Sequence, residues 1–204
     1  MDFPLLSEYG ISYPRTEVAS TRAQAVKAAE GMGYPVALKI LSSQVFHKTD
    51  RGGVLLGLKS SDEVQKGHDL LRARFSHVRI DGIIVQRMAG SEGVELIIGG
   101  KRDPQFGQLI MLGMGGIFVE VMRDVVFRVC PITEKDAGEM IRELRAYPIL
   151  AGARGRKPVN MAALVGTLVK ASNLLQKEDP AEFDINPLMA DEKGCVAVDM
   201  RMLK

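Results

Sequence analysis

The fold and the chemistry of this chain are both indicated by one stretch, Lys39-Ile-Leu-Ser-Ser-Gln-Val-Phe-His47-Lys-Thr-Asp-Arg-Gly-Gly53-Val54. It begins where the apolar run Pro35-Val-Ala-Leu38 ends, and that run predicts a buried strand. A lysine at the exit of such a strand can place a point charge on a phosphate, and adjacent glycines let the backbone present amides to an anion. The stretch therefore predicts either a nucleotide-dependent phosphoryl-transfer site or an exposed polar hairpin loop.

The composition is that of a folded protein without an obvious nucleic-acid or membrane surface. With 204 residues and 46% apolar content, the chain can bury one large core or two smaller ones. Lys and Arg number 27 against 25 Asp and Glu, they are not clustered, and only 5% of the residues are aromatic, so we expect no nucleic-acid partner. No run approaches the roughly 18 apolar residues of a membrane-spanning helix, and we expect no membrane partner.

The cysteines and the N-terminal sequence indicate the cellular compartment. Cys130 and Cys195 are far apart and show no metal-binding spacing, and the first residues show no signal-like apolar segment. Both features favour a reducing environment. We therefore expect a cytoplasmic protein.

The order of the predicted elements indicates an α/β (α+β) chain with two lobes. Residues 1–85 are expected to form an N-terminal region and a first lobe, residues 86–93 a polar hinge, and residues 94–204 a second lobe. Helices are predicted from Arg22 to Met32, capped by Thr21 and stopped by Gly33, from Ser61 to about Phe75 with a capping box, from Thr133 to about Leu144, and from Asn160 to about Lys177. Strands are predicted at residues 35–41, 54–58, 83–85, 94–99, 107–112, 125–129, 182–190 and 194–202.

The last two strands predict a specific pairing of side chains. A turn centred between Glu192 and Lys193 places Asn186 opposite Asp199, with Cβ atoms about 5 Å apart. A carboxylate beside an amide oxygen is the sparse donor set that Mg²⁺ takes when phosphates supply other ligands. The alternative is a cross-strand hydrogen-bonded pair that fixes the hairpin. The same register predicts a core face of seven residues, Phe183, Ile185, Met189, Val196, Val198, Met200 and Met202.

The remaining polar features are a glycine-rich stretch, two histidines and an acidic residue opposite a basic one. Gly113, Gly115 and Gly116 directly after a predicted strand indicate either an anion-binding backbone cradle or a simple turn. His68 and His77 lie on or beside a predicted helix and are expected to be solvated surface residues. Asp184 and Arg201 are expected to form an ion pair beside the Asn186 and Asp199 site.

Several motifs together resemble one known family. The motifs are Gly33-Tyr-Pro-Val-Ala-Leu-Lys39, His47-Lys-Thr-Asp-Arg-Gly-Gly53, Arg102-Asp-Pro-Gln-Phe-Gly107, Gly113-Met-Gly-Gly-Ile-Phe-Val-Glu120, Ala146-Tyr-Pro-Ile-Leu150 and Asp184-Ile-Asn-Pro-Leu188, followed by Asp199. In their order and spacing they resemble the ATP-grasp fold, and within it the nucleotide-binding β subunit of ADP-forming acetyl-CoA (acyl-CoA) synthetase, a relative of succinyl-CoA synthetase β. The resemblance covers nearly the whole chain and implies two lobes, with mixed or antiparallel sheets, that enclose a nucleotide cleft.

The resemblance also implies roles for individual residues. Lys39 would contact the phosphates of ATP or ADP, the backbone of Gln86, Arg87 and Met88 would meet the adenine, and Glu95 would sit at the nucleotide. Asn186 and Asp199 would hold Mg²⁺. His47 would be a catalytic phosphate carrier on a mobile loop.

The partner and the alternatives follow from the same resemblance. His47 would take phosphate from a phosphohistidine on a CoA-binding α subunit, in an assembly expected to be α2β2, and pass it to ADP. Nothing in the 204 residues resembles that α part. The alternatives are another ATP-grasp ligase that activates a carboxylate as an acyl phosphate without His47, or a non-catalytic nucleotide-binding regulatory module.

Overall fold

The computed structural model describes residues 3–42, 44–45, 51–90, 93–116, 124–155 and 157–204. These residues form two compact units, which we call the small unit (residues 14–88) and the large unit (residues 3–13 and 89–204). No helix in the described ranges is long and apolar enough to cross a lipid bilayer. The elements are, in chain order, α1 (Phe3–Glu8), β1 (Thr16–Ala19), α2 (Arg22–Met32), β2 (Val36–Leu41), β3 (Val54–Leu58), α3 (Ser61–Arg74), β4 (Gly82–Arg87), β5 (Val94–Asp103), β6 (Gly107–Met114), β7 (Val125–Val129), α4 (Glu134–Glu143), α5 (Tyr147–Leu150), a 3-10 turn (Ala153–Gly155), α6 (Met161–Glu178), β8 (Glu182–Ala190), β9 (Cys195–Ala197) and β10 (Met200–Leu203).

The small unit is an antiparallel sheet with its two helices against one face. Its strands lie in the order β1-β4-β2-β3. The core-facing side chains alternate along the central strands and include Val36, Leu38 and Ile40 of β2. The intervening residues therefore lie on the opposite face of the sheet, and this face carries Ala37, Lys39, Ile84 and Gln86.

Helix α2 begins and ends where the sequence predicts. The Thr21 hydroxyl accepts a hydrogen bond from the Gln24 N–H, and the Gln24 carboxamide accepts one from the Thr21 N–H, so a complete capping box starts the helix. Gly33 ends it with φ 79°, a conformation that favours glycine. Such a cap contributes about 1 kcal/mol.

Helix α3 differs from its prediction in two ways. Ser60 is the cap, and the Glu63 carboxylate accepts from the Lys59 N–H at 2.7 Å, so the predicted capping box is only half formed. His68, predicted to be solvated, is 4% exposed. That prediction is wrong because His68 lies four residues after Val64 and three before Leu71, on the buried face of the helix. His77 is exposed, as predicted.

The large unit contains an antiparallel sheet of six strands among the described residues, in the order β10-β8-β5-β6-β7 with β9 also paired to β8. Its core lies on one face of this sheet and includes Met140 of α4 and Leu164, Leu168 and Leu175 of α6. We call the opposite side the outer face. The outer face carries Glu95 and Ile97 of β5, Met111 of β6, Phe127 of β7 and Asp184 of β8.

The N-terminal residues pack in the large unit. Phe3, Leu6 and Ile11 are buried in its core, and the Ala197 N–H donates to the Ser12 carbonyl at 2.8 Å. The predicted first lobe, residues 1–85, differs from the small unit in this respect. A short apolar helix carries no sequence signal for which of two cores it joins.

The closing hairpin has the predicted register but not the predicted core face. Arg201 pairs with Asp184, and Ala197 pairs with Leu188, as expected from the turn at Glu192 and Lys193. Before Asn186 the odd-numbered residues of β8 are buried, whereas after Pro187 the even-numbered residues Leu188 and Ala190 are buried. Met189, Val196 and Val198 were predicted to lie on the core face, but they are only half-buried.

The change of face is caused by a bulge in β8. The pairing of β5 with β8 shifts register between Leu96 and Ile98, so β8 accommodates one extra residue there. A bulge of this kind turns the following side chains to the other side of the sheet. The bulge falls at Asn186 and Pro187.

Candidate functional site

Lys39 occupies the middle of the small unit's sheet and is only 3% exposed. Its backbone pairs with Val54 on one side and with Ile84 on the other, so its position is fixed by two neighbouring strands. A buried ammonium group is costly unless polar groups or an anion compensate for the loss of water. Lys39 does have a polar or electrostatic partner in the chain. Its burial matches a lysine placed for an anionic ligand.

Gln86 lies on the same face as Lys39 and is 1% exposed. Its Nε2 donates to the Thr16 hydroxyl at 3.1 Å, and that hydroxyl donates to the Pro14 carbonyl at 2.7 Å. The side chain of Gln86 is thus tied into the sheet. The predicted contact with adenine involves the backbone of Gln86 and does not need its side chain.

The N–H groups of the next two residues are already used within the small unit. The Arg87 N–H donates to the Arg15 carbonyl at 3.0 Å, and the Met88 N–H donates to the Pro35 carbonyl at 3.2 Å. In this arrangement the Arg87 and Met88 backbone has no N–H to donate to a base. Residues 91–92 of the predicted hinge, residues 86–93, lie outside the described residues.

The predicted catalytic residue His47 lies outside the described residues, but the chain on either side of its loop is anchored. On one side, the Ser42 hydroxyl donates to the Arg79 carbonyl at 2.6 Å, and the Arg79 N–H donates to the Gln44 side chain at 2.9 Å. On the other side, the Arg74 guanidinium donates to the Gly52 carbonyl. Both anchors belong to the small unit.

Glu95 lies on the outer face of the large unit next to the glycine-rich turn. The Gly115 N–H donates to the Glu95 carbonyl at 2.7 Å. A Cβ on Gly115 would lie 2.9 Å from the Glu95 backbone, and one on Gly116 would lie 3.1 Å from the Glu95 carboxylate. The glycines therefore permit close contact with β5. A carboxylate oxygen beside Gly116 opposes an anion there, which favours the turn over the anion cradle for the described part of this stretch.

Asn186 and Asp199 are opposite each other, at the bulge of the closing hairpin. The Asn186 N–H donates to the Asp199 carbonyl at 3.1 Å. The Asn186 side chain is exposed and that of Asp199 is half-buried. One oxygen of the Asp199 carboxylate accepts from the Met200 N–H at 2.9 Å, and its second oxygen is a further acceptor. Arg201, predicted to form an ion pair with Asp184, is opposite it in the strand register, and its guanidinium makes an ion pair with Glu182, at 3.8 Å.

These two residues suit Mg²⁺, which takes few protein ligands, better than a metal ion that is coordinated by protein side chains alone. Among the described residues, no group of three or more His, Cys, Asp or Glu side chains could hold a metal. Mg²⁺ is usually bound through one or two protein oxygens, with water and phosphate completing its octahedron. An exposed amide oxygen beside a carboxylate provides such a donor set.

The cysteines are poorly suited to nucleophilic catalysis. Both thiols are free and buried. Burial raises the pKa of Cys195 to about 11, with a smaller opposing effect from Thr167, and burial also raises the pKa of Cys130. The thiolate is the reactive form, so neither group is activated.

The structure adds two polar residues that the sequence did not single out, the half-buried Thr16 and the buried Asp124. Thr16 meets Gln86 only through the pairing of β1 with β4, across 70 residues of sequence. Asp124 is 6% exposed, and its two carboxylate oxygens accept from the Arg145 and Ala146 N–H groups at 2.9 and 2.8 Å. A polar residue in a strand and an aspartate before one give no local signal of such distant partners.

The chain is similar to known proteins over nearly its whole length. A family model described as an ATP-grasp domain matches residues 2–203. The β subunit of the ADP-forming acetate–CoA ligase I from Pyrococcus furiosus is 47% identical over 204 residues, which cover 98% of this chain and 88% of that relative.

Solved structures show the same similarity. The acetyl-coenzyme A synthetase 1 of Ca. Korarchaeum cryptofilum, in complex with coenzyme A, Ca-AMPCP and HgCl+, has a TM-score of 0.94 and 43% identity, covering 98% of this chain and 90% of that chain. In a second structure, with coenzyme A and Mg-AMPPCP, its phosphohistidine segment points towards the nucleotide binding site. There the TM-score is 0.85 at 43% identity, covering 97% of this chain and 87% of that chain.

Proposed function

This chain belongs to the ATP-grasp family, within it to the β subunits of ADP-forming acetate–CoA ligases, and from that membership we propose that it binds nucleotide and Mg²⁺ for an acyl-CoA synthetase. The reaction is acyl-CoA + ADP + phosphate ⇌ carboxylic acid + ATP + CoA. The observation that carries the proposal is the match over residues 2–203, which includes every candidate site residue. The chain would act as one subunit of an acid–thiol ligase.

The small unit would hold the phosphates. Lys39 would place its ammonium against the transferred phosphoryl group, where charge builds up as the phosphate passes through a loose transition state. Its 3% exposure supports this role, because a group already desolvated and held by two strands needs little reorganisation during the reaction. Residues 86–93 would form the hinge, and the backbone of Gln86, Arg87 and Met88 would meet the adenine.

The large unit would hold the metal and the other side of the nucleotide. Asn186 and Asp199 would bind Mg²⁺ through oxygen atoms, and Glu95 would lie at the nucleotide. The metal, when bound, neutralises phosphate charge and orients the reacting oxygen atoms. Binding of Mg-AMPPCP by the Korarchaeum relative supports this assignment.

His47 would carry the phosphoryl group between two subunits. A neutral imidazole nitrogen attacks the phosphorus of a phosphohistidine on the partner, whose N–P bond breaks, and the partner histidine is released. An oxygen of the ADP β-phosphate then attacks the same phosphorus, the bond to His47 breaks, and ATP forms. The chain on either side of His47 is held to the small unit, at Ser42 and at Gly52.

The partner would be a CoA-binding α subunit, in an α2β2 assembly. The Pyrococcus relative is named as a β subunit, and the Korarchaeum structures hold coenzyme A, which supports a second subunit for CoA. The assembly would be cytoplasmic. The free, reduced state of Cys130 and Cys195 supports that location.

Replacement of His47 tests the proposal. The chain with γ-labelled ATP, Mg²⁺ and an α partner should acquire an acid-labile phosphohistidine, and mass spectrometry should map it to His47. His47→Ala should abolish ATP formation, since the carrier is lost, and should leave the Kd for ADP within about twofold.

His77→Ala is the matched control, because His77 is an exposed histidine of the same unit. Equal loss of ADP binding and ATP formation in His47→Ala would make the residue structural. Full activity of His47→Ala would favour an acyl-phosphate ligase, and absence of any turnover with an α partner would favour a regulatory nucleotide-binding module.

A further inference from the structure

A chain of hydrogen bonds runs across the non-core face of the small unit's sheet, beside Lys39. It starts at the Pro14 carbonyl, passes through the Thr16 hydroxyl and ends at the Gln86 carboxamide. Gln86 is 1% exposed, so its carboxamide has little access to water as a hydrogen-bond partner. The hydrogen bonds, and not solvent, determine how this amide is oriented.

The donors and acceptors fix the direction of the chain. A carbonyl oxygen only accepts, so the contact of 2.7 Å between the Thr16 hydroxyl and the Pro14 carbonyl uses the hydroxyl proton. Thr16 can then only accept from Gln86, which requires the Gln86 NH2 group on the β1 side. The Gln86 carbonyl oxygen is consequently directed away from β1, towards β2.

Lys39 lies on the side to which that oxygen is directed. Gln86 is opposite Ala37 of β2, and Lys39 is opposite Ile84, so Gln86 and Lys39 are diagonal neighbours on one face. Diagonal neighbours in antiparallel strands have Cβ atoms about 7–8 Å apart, within reach of two long side chains.

We propose that Thr16 is a positioning residue for Lys39: Pro14 and Thr16 orient the Gln86 carboxamide so that its oxygen faces the Lys39 ammonium. This inference rests on the proposed role of Lys39 at the nucleotide phosphates. It gives Gln86 a side-chain role that is separate from the predicted contact of its backbone with adenine. It also makes Thr16 contribute to phosphate binding through Gln86 and Lys39.

Removal of the Thr16 hydroxyl should weaken phosphate binding through Lys39. In Thr16→Val the amide loses the acceptor that fixes its direction, and its NH2 group can turn towards the ammonium. The Kd for Mg-ADP, measured by isothermal titration calorimetry on the full chain, should rise about threefold to tenfold, the worth of one hydrogen bond. Thr16→Ser keeps the hydroxyl and should bind ADP as the wild type does.

A double-mutant cycle with Lys39→Met separates positioning from general structural damage. Thr16→Val should have no further effect on the Kd for ADP when Lys39 is already replaced. Val18→Thr is the matched control, since it exchanges the same two residue types on the same strand at an exposed position. Valine suits a strand, and equal melting temperatures for Thr16→Val and the wild type would establish that the variant folds.

Several results would overturn the inference. Unchanged ADP affinity in Thr16→Val would do so, as would additive losses in the double mutant, which would mean that Thr16 acts independently of Lys39. Either result would leave the proposed function intact, because the wild type would still bind ADP. Absence of ADP binding by the wild type, both alone and with an α partner, would overturn the proposed function together with this inference.

Discussion

The two units present their candidate ligand groups in opposite ways. In the small unit, Lys39 is 3% exposed and sits between two paired strands, with a polar network beside it. In the large unit, Asn186 is exposed and lies at a bulge where the pairing of β8 is irregular. The contrast suits the two ligands. A phosphate-binding charge works best when it is already desolvated and fixed, whereas Mg²⁺ sheds its water reluctantly and needs accessible oxygens.

The bulge is the feature on which this contrast depends, and substitutions at two adjacent residues after the bulge test its placement. Leu188→Ala should lower the free energy of unfolding by about 2–5 kcal/mol, because Leu188 is fully buried after the bulge and its removal leaves a cavity. Met189→Ala, at a half-buried position, should cost less. Urea unfolding of both variants gives the comparison. A larger loss for Met189→Ala would mean that the strand keeps a single alternation and that Asn186 is not turned by a bulge.

The proposed metal site of the large unit gives the next largest effect. Asp199→Asn should weaken Mg²⁺ binding about tenfold or more, since replacement of even an outer-shell partner typically costs that much. The asparagine oxygen can still accept from the Met200 N–H, so the hairpin should stay folded. Calorimetric titration of Mg²⁺ in the presence of ADP measures the effect. Glu192→Gln at the hairpin turn is the control, and an equal loss there would point to general surface charge instead of coordination.

The smallest effect concerns a second buried polar group of the small unit, His68. A hydrogen bond from His68, aided by Arg22, lowers the pKa of the Asp69 carboxyl. A carboxyl whose folded-state pKa lies below its unfolded value of about 4 stabilises the fold above that pH, and the contribution is lost as pH falls through the folded-state pKa. Asp69→Asn should therefore lower the melting temperature slightly at pH 7.

At a pH below the folded-state pKa, wild type and Asp69→Asn should melt alike. The measurement at the lower pH is the control for the one at pH 7, because any effect of the asparagine side chain on packing is present at both. A difference that persists unchanged in acid would show that the carboxylate charge has no part in holding His68.

Much of this architecture could be predicted from local patterns. Thr21 and Gly33 set the ends of α2 because caps and left-handed residues act within one turn of helix. The turn at Glu192 and Lys193 set the register of the closing hairpin, because adjacent strands joined by a short loop can pair in few ways. That register brought Asn186 opposite Asp199, as predicted.

The two wrong predictions have different origins. Strict alternation through Pro187 predicts Met189 in the core, whereas the bulge that ends the alternation depends on the pairing of β8 with β5, far away in sequence. His68 is buried although histidine is a polar residue, and its spacing from Val64 and Leu71 already indicates the buried face. For this residue the helical spacing predicts burial better than the residue type does.

By itself, the sequence determined the elements, the hairpin register, the family motifs and the set of candidate residues, because each depends on neighbours in the chain or on a whole motif. Only the tertiary structure decided which of those residues are buried and what orients them. The contact of Thr16 with Gln86 spans 70 residues, and the face on which Asn186 lies depends on a bulge between strands β5 and β8. Such pairings are selected by the collective burial of two cores, and no single segment encodes them.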